Sequence, residues 1–259
     1  MKTLRSKIMR TRFLRGDTTQ NNGLTLPNGE LSIDLEKRAL RLHDGSTLGC
    51  FEILGTQAYV PPGSTIIAGD ELTGFYGEIV GSDFITYSSL SYQVGLSAGT
   101  LQHDAESAWL KFSLDGRVVY VAKKPIRHTI TAREINDQHL TVENSSTSTV
   151  TVNDNVFKVT LLTGGDTNPA SSPGGEWNRL MYPIHIDDPD GLEWGINYTN
   201  GDLSIGEGDG RATWTSASET DTYGDRIFRG HSSLTAFSSV RTDYAVAVHG
   251  WRPVLRSVE

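Results

Sequence analysis

One cysteine, Cys50, is all that the 259 residues contain. That excludes an intramolecular disulfide framework and any multi-cysteine zinc site. Nothing around it in sequence gives an evident reason for a lowered thiol pKa, so it reads as a small packed residue. No run of about 18 apolar residues occurs, which excludes a membrane-spanning helix. The opening, Met1–Gly16, is basic but lacks the apolar stretch of a secretory signal. The histidines (His43, His103, His128, His139, His185, His231 and His249) show no HExxH or other metal spacing, and no GxSxG elbow occurs. Asp187-Asp188-Pro189-Asp190-Gly191 is dense in acid but lacks the alternation and terminal Glu of an EF-hand loop, so it reads as a turn with solvated acids. No metal and no cofactor is expected.

What is present is enough for a core: 37% hydrophobic residues, with 21% charged. The 27 glycines against 9 prolines move the expectation toward turns and short strands, because Gly is costly inside helices. The net charge of −8 hides an asymmetry. Six of the 23 basic residues (Lys2, Arg5, Lys7, Arg10, Arg12, Arg15) lie in the first 15 positions, where no acid occurs. The rest of the chain holds the other 17 basic residues against all 31 acidic ones. A basic arm on an acidic body suits docking to an acidic protein surface. Nucleic acid is disfavoured, since the arm lacks interleaved aromatics and the body would repel phosphate.

Along the chain, Leu24-Thr25-Leu26 is strand-like and leads into the turn Pro27-Asn28-Gly29. Leu31, Ile33 and Leu35 alternate with polar residues, Leu40 and Leu42 repeat the pattern, and Asp44-Gly45 turns the chain again. Strands this short cannot bury a face alone. Three divisions are expected: 1–57, a basic arm and mounting domain; 58–104, a β-rich intermediate segment; and 105–259. The intermediate segment offers strands at Thr65–Ala68, Gly74–Val80 and Phe84–Tyr87 and no sustained helical period. Ala108–Ser113 and Val118–Ala122 around Asp115-Gly116 predict a hairpin. Thr131 and Glu134 have capping-box spacing, which predicts a helix to about Gln138. Val150–Val152 and Val156–Leu162 predict a second strand pair. Trp177, Leu180 and Met181 share a helical face, which predicts a helix over Glu176–Met181. Residues 185–225 read as long polar loops, followed by strand-like runs at Arg226–Arg229, Tyr244–Val248 and Trp251–Leu255.

Two parts of the sequence match known families. Arg15-Gly16-Asp17-Thr18-Thr19, Gly29-Glu30-Leu31-Ser32-Ile33-Asp34 and Leu40-Arg41-Leu42-His43-Asp44-Gly45-Ser46-Thr47 resemble the N-terminal domain of phage tropism-determinant proteins, which opens many tail-fibre and other virion proteins. The resemblance covers about 45 residues and implies an intertwined trimeric β-prism. Trp109–Pro125, Gly175–His185, Arg226–Gly230 and Gly250–Leu255 look like a family of phage virion proteins. Their ending is similar to C-type-lectin-like domains of the formylglycine-generating-enzyme type, covering roughly 105–259. One departure is Ser232-Ser233, where the family commonly carries Ser-Trp. The implied fold is mostly β with an α+β C-terminal part: an N-terminal β-prism-like segment and a lectin-like domain with two short helices.

Formylglycine-generating enzymes use paired cysteines, which a single Cys50 cannot supply, so enzymatic activity is not expected. The function implied is that of a bacteriophage virion structural protein, tail-fibre or receptor-binding in type, attaching the particle to its host. A capsid, collar or tail decoration protein is the alternative, and a polysaccharide-degrading enzyme is a third reading. Trp109, Trp177 and Trp251 lie in patterned segments and are expected in the core, with Arg229 and Arg252 pairing with buried carboxylates or carbonyls. Trp194, Tyr198, Trp214, Tyr223 and Tyr244 lie in or beside Gly- and Ser-rich segments, the composition of adaptable binding surfaces, and are the receptor-contact candidates. Expected partners are two further copies in a homotrimer, other virion proteins through the N-terminal part, and a host surface glycan or protein, with no membrane insertion. The expected location is the virion, after synthesis in the host cytoplasm.

Overall fold

A computed structural model of the chain describes residues 14–34, 39–48, 51–53, 65–141, 148–164, 175–189, 191, 194–218 and 225–258. The chain divides into two compact units, Met1–Ala58 and Tyr59–Glu259.

The first unit runs β1 (Leu14–Gly16), α1 (Thr18–Asn22), β2 (Leu31–Asp34), β3 (Ala39–Leu42) and β4 (Phe51–Ile53), and its strands form one sheet in that order. β1 is parallel to β2; the other pairs are antiparallel. Asp17 and Gln20 close a capping box: Gln20 N donates to Asp17 Oδ1 at 2.7 Å and Asp17 N donates to Gln20 Oε1 at 3.1 Å. Gly29 and Gly45 supply the positive φ (+86° and +81°) that the two expected turns need. After β3, the Asp44 carboxylate accepts from the Thr47 hydroxyl and from the amides of Thr47 and Ser46, which hold its pKa well below the usual carboxylate range.

Burial in this sheet runs against the expected alternation. Ser32, Arg41 and His43 are buried, while Leu31 and Ile33 are only partly covered and Leu42 stays 39% exposed. The polar side is internally satisfied. His43 Nδ1 accepts from Leu26 N at 3.3 Å, so the Nε2 proton faces Ser32 Oγ at 2.9 Å. Leu26 spends its amide on that ring, and Leu24–Leu26 forms no strand. Arg41 Nη1 donates to Asn22 Oδ1 at 2.9 Å. Register pairs Leu31 with Leu42 and Ser32 with Arg41, which puts Leu31, Ile33 and Leu42 on one face and Ser32, Arg41 and His43 on the other. Leu35 and Cys50 lie outside the described residues.

The second unit begins with β5 (Ala68–Gly69), β6 (Thr73–Val80), α2 (Tyr87–Gln93), β7 (Thr100–Leu101), β8 (Ala108–Leu114), β9 (Arg117–Ala122) and β10 (Arg127–His128). It continues through α3 (Ala132–Asp137), β11 (Thr149–Val152), β12 (Asn155–Thr160), α4 (Gly175–Met181) and α5 (Asn200–Leu203). It closes with β13 (Ala212–Ser218), β14 (Asp225–Arg229), β15 (Phe237–Arg241), β16 (His249–Trp251) and β17 (Val254–Ser257). A seven-stranded antiparallel sheet has the order β11-β12-β17-β9-β8-β6-β5, and a six-stranded sheet the order β15-β14-β13-β16-β10-β7. The molecule is thus mostly β.

β6 pairs with β8 from Thr73↔Leu114 to Val80↔Ala108, so residues 58–104 do not form a separate intermediate segment. β5 and β7 are the edge strands, and β6 the strand next to an edge, of sheets completed by later residues. The same region also corrects two local expectations. Phe84–Tyr87 is no strand, and Tyr87–Gln93 is a helix: Thr86 caps it, its hydroxyl accepting from Ser89 N at 3.2 Å, and Tyr87, Leu90 and Ser91 are its buried face.

The seven-stranded sheet is covered on both sides, which explains why β8 is buried at every position. Trp109, Tyr120, Val159 and Leu255 share one cluster with Tyr87 and Leu90 of α2, Ile135 of α3, and Trp214 and Trp251 of the six-stranded sheet. Leu110, Phe112, Val119, Val121 and Val254 share the other with Trp177, Leu180 and Met181 of α4 and Leu203 of α5. The hairpin turn at Asp115-Gly116 has both residues at positive φ (+52° and +76°), and Asn153-Asp154 between β11 and β12 does likewise (+48° and +64°). Thr131 and Glu134 make the full capping box of α3.

Candidate functional site

Fully buried Trp109, Trp177 and Trp251 lie in the core of the second unit. Trp109 Nε1 donates to Ile85 O at 2.7 Å and Trp177 Nε1 to Leu234 O at 3.0 Å. Arg252 is also fully buried, and carbonyls rather than carboxylates hold it. Its Nη1 donates to the carbonyls of Ala122 and Lys123, its Nη2 to that of Leu203, and its Nε to Thr213 Oγ1 at 3.3 Å. Burial lowers its pKa. Arg229 donates to Asn178 Oδ1 at 2.7 Å and Thr235 O at 3.1 Å, with the Phe237 ring 5.6 Å from its guanidinium. These arginines tie strand ends to loops from inside.

The five surface candidates separate. Trp214 is 0% exposed and is corrected from loop to core. It sits on β13, a central strand of the six-stranded sheet, with Nε1 donating to Ile130 O at 2.8 Å and its ring 5.7 Å from Phe228. The signal was in the residues beside it: Thr213 and Thr215 are β-branched and flank Trp214 in a strand-favouring run. Tyr223 lies outside the described residues. Tyr244 is 51% exposed, with its ring 6.0 Å from that of His249 and its carbonyl 3.4 Å from His249 Nδ1. No strand spans Tyr244–Val248. Trp194 is half-buried against Gly69, where a Cβ would stand 2.9 Å from its ring.

Tyr198 is the candidate most engaged with its surroundings. Its hydroxyl donates to Glu78 Oε2 at 3.0 Å, Lys123 Nζ lies 5.0 Å above its ring, and Phe75 meets it edge-on at 6.3 Å. Burial, then the Glu78 charge, holds the phenol pKa well above its usual value. Lys123 Nζ donates to the same Glu78 oxygen at 2.7 Å, and the next residue, Lys124, donates to Glu106 Oε2 at 2.5 Å. That bond holds the Glu106 carboxyl below its usual pKa. His103 stands close by, its pKa lowered by burial and then by the Lys124 charge. The structure thus brings Tyr198 into a cluster of charges that the sequence reading did not single out. An acid inside the apolar strand β6 and a Lys-Lys pair directly after β9 were the available signals.

No family model matches this sequence, and no curated protein matches it. Among solved structures the chain is similar to the Major Tropism Determinant. The U1 variant is 12% identical over 95% of this chain and 99% of that chain, with a TM-score of 0.18. The P3c variant is 11% identical over the same shares, with a TM-score of 0.20. Scores of this size do not establish a common fold.

Among the described residues no group of three or more His, Cys, Asp or Glu side chains is placed to hold a metal ion. The acid-dense stretch forms turns: Asp188 N donates to His185 O at 3.1 Å and Gly191 N to Asp188 O at 3.0 Å. Among the described residues no helix is long and apolar enough to cross a membrane. The second unit thus presents an exposed Tyr244 beside the buried His249, and a fixed array of donors and acceptors around Tyr198.

Proposed function

We propose that this chain is a bacteriophage virion protein of the tail-fibre, receptor-binding kind. Its first unit holds three copies together and to other virion proteins, and its second unit meets the host surface. The open apolar face of the first unit carries the reading: Leu42 stays exposed and Leu31 and Ile33 only partly covered, while Ser32, Arg41 and His43 are buried. Such a face needs further copies to cover it. The motif resemblance of residues 15–47 to the trimeric mounting domain supports the same arrangement. Three linked binding heads would convert weak single contacts into firm attachment. Trp194, Tyr198 and Tyr244 are the described contact candidates on the second unit.

The test is adhesion of purified, fluorescently labelled full chain to host cells, beside Leu42→Glu. The wild-type chain should run as a trimer and bind saturably. Leu42→Glu should run as a folded monomer and bind on the order of a hundredfold more weakly. A monomeric wild-type chain, or no binding to host cells, overturns the proposal.

A further inference from the structure

Two adjoining cavities meet on the turn Gly81–Thr86. The larger, about 430 Å³, is bordered by Glu78, Asp104, Glu106, Lys123 and Lys124. The smaller, about 290 Å³, is bordered by Ser89, Gln93, Thr151 and Asn153. Gly81, Ser82 and Thr86 line both, so the two parts of this groove adjoin across the turn, each near the lower end of small-ligand sites.

The floor of the groove depends on a glycine. Gly81 N donates to Ser107 O at 2.6 Å, and a Cβ at Gly81 would fall 2.4 Å from Ser107 Cβ. No other residue allows the turn to lie this close to its neighbour without a shift. On the far side, Asn153 Nδ2 donates to Asp83 O at 3.2 Å, which fixes the β11–β12 turn against the same segment.

The polar groups of the larger part are held in place, yet each keeps bonding capacity. Asp104 Oδ1 accepts from Ser88 N at 2.7 Å, Glu106 Oε2 accepts from Lys124, and Glu78 Oε2 accepts from both Lys123 and Tyr198. In all three carboxylates, the second oxygen takes no hydrogen bond from any described residue. The result is three fixed acceptors beside two ammonium groups that retain spare N–H donors. The smaller part adds hydroxyls and amides of Thr86, Ser89, Gln93, Thr151 and Asn153, which donate or accept.

That combination selects a ligand class. Three carboxylates against two lysines leave a small negative excess, which disfavours phosphate and other anionic chains. Among the described residues, Val80, Ala105 and Ala108 are the only apolar side chains at the charged end, too small to anchor a peptide side chain. A ligand that donates and accepts at closely spaced points, and is neutral, satisfies both ends. We propose that this groove binds a neutral oligosaccharide. Its hydroxyls donate to the free oxygens of Glu78, Asp104 and Glu106 and accept from Lys123 and Lys124, and a second sugar unit lies over Ser82 toward Thr151 and Asn153. The site belongs to the second unit alone and stands whether or not the chain trimerises or belongs to a virion.

The test is a titration of the full chain with neutral oligosaccharides of two to four units, built from glucose, galactose or N-acetylglucosamine, followed by backbone-amide NMR. At least one should bind saturably, with shifts concentrated at residues 81–86, 104–106 and 123–124. Ser82 and Glu106 are exposed, so Ser82→Trp and Glu106→Gln should fold as the wild-type chain does. Ser82→Trp should abolish binding by filling the groove, and Glu106→Gln should weaken it about tenfold, the worth of one charge-assisted hydrogen bond. No saturable shift with any neutral sugar overturns the proposal. So do shifts only with anionic sugars, or affinity unchanged in both variants. Host-cell adhesion that survives Ser82→Trp would leave the attachment role in place and remove the saccharide from it.

Discussion

Tyr198 donates its hydroxyl hydrogen to Glu78 Oε2 at 3.0 Å, across 120 positions of sequence. The bond joins the loop after α4 to the middle of β6. Lys123 donates to the same oxygen at 2.7 Å from the end of β9, so one carboxylate oxygen gathers three separate segments. Buried apolar sheet lies beneath and open groove beside it, and Tyr198 is where fold and candidate site meet.

Replacing Tyr198 with Phe keeps the ring against Phe75 and deletes only the hydroxyl. Urea unfolding should show a loss of about 1 kcal/mol, typical of one hydrogen bond to a charged acceptor in a partly buried position. Because the phenol pKa is raised in the fold, its stabilising effect is complete below the ordinary tyrosine value and fades as pH climbs past about 10. The Tyr198→Phe variant should therefore lose less stability than wild type as pH rises above about 10.

Arg252 offers a larger effect. Arg252→Met removes the donor to three carbonyls, and the two buried ones, of Ala122 and Leu203, each cost about 1–3 kcal/mol when left unpaired. Chemical denaturation should report a loss of at least about 2 kcal/mol. Arg252→Lys should rescue little, because one ammonium cannot span the guanidinium's fork.

Trp214 and Tyr244 separate core from surface. Trp214→Ala should cost about 3–5 kcal/mol by opening a cavity against Phe228 and His249. Tyr244→Ala should stay within about 0.5 kcal/mol, as exposed positions do. Adhesion measurements therefore remain interpretable for Tyr244→Ala and not for Trp214→Ala. A Trp214→Ala variant with wild-type stability would contradict its placement.

Acid should weaken the second unit before any carboxylate titrates. His103, His231 and His249 have pKa values lowered by burial, His249 with its ring 4.4 Å from Trp214 and 4.8 Å from Phe228. Groups of this kind are neutral in both states at pH 7. Below about 6.5 the unfolded chain protonates first, so stability falls as pH drops from there through the folded values. Thermal melts from pH 7.5 to 5 should show a falling midpoint, shallower in His249→Phe. A flat profile would show that these rings titrate normally.

Much of the fold was legible because local chemistry and tertiary structure agreed. Thr131 and Glu134 opened α3 as their spacing implied, and Asp115-Gly116 turned the β8–β9 hairpin. Failures came where tertiary packing outweighed local pattern. In the first unit, leucines sit at the expected period, yet Arg41 and His43 take the buried side because their hydrogen bonds to Asn22, Leu26 and Ser32 are satisfied there. α2 is only seven residues long, and its apolar face is too short for a period to stand out. β13 was hidden by the Gly- and Ser-rich residues around it. Of the site, Tyr198 was legible as a loop aromatic. Glu78 and Lys123 were not, since their meeting depends on a strand order that no local signal encodes.

The most direct test of the attachment role is electron microscopy of intact particles labelled with antibody fragments against residues 59–259. A receptor-binding fibre protein places the label at the host-facing end of the tail, and the same fragments block adsorption. Label confined to the capsid or collar, with adsorption unimpaired, would contradict that role and point to decoration.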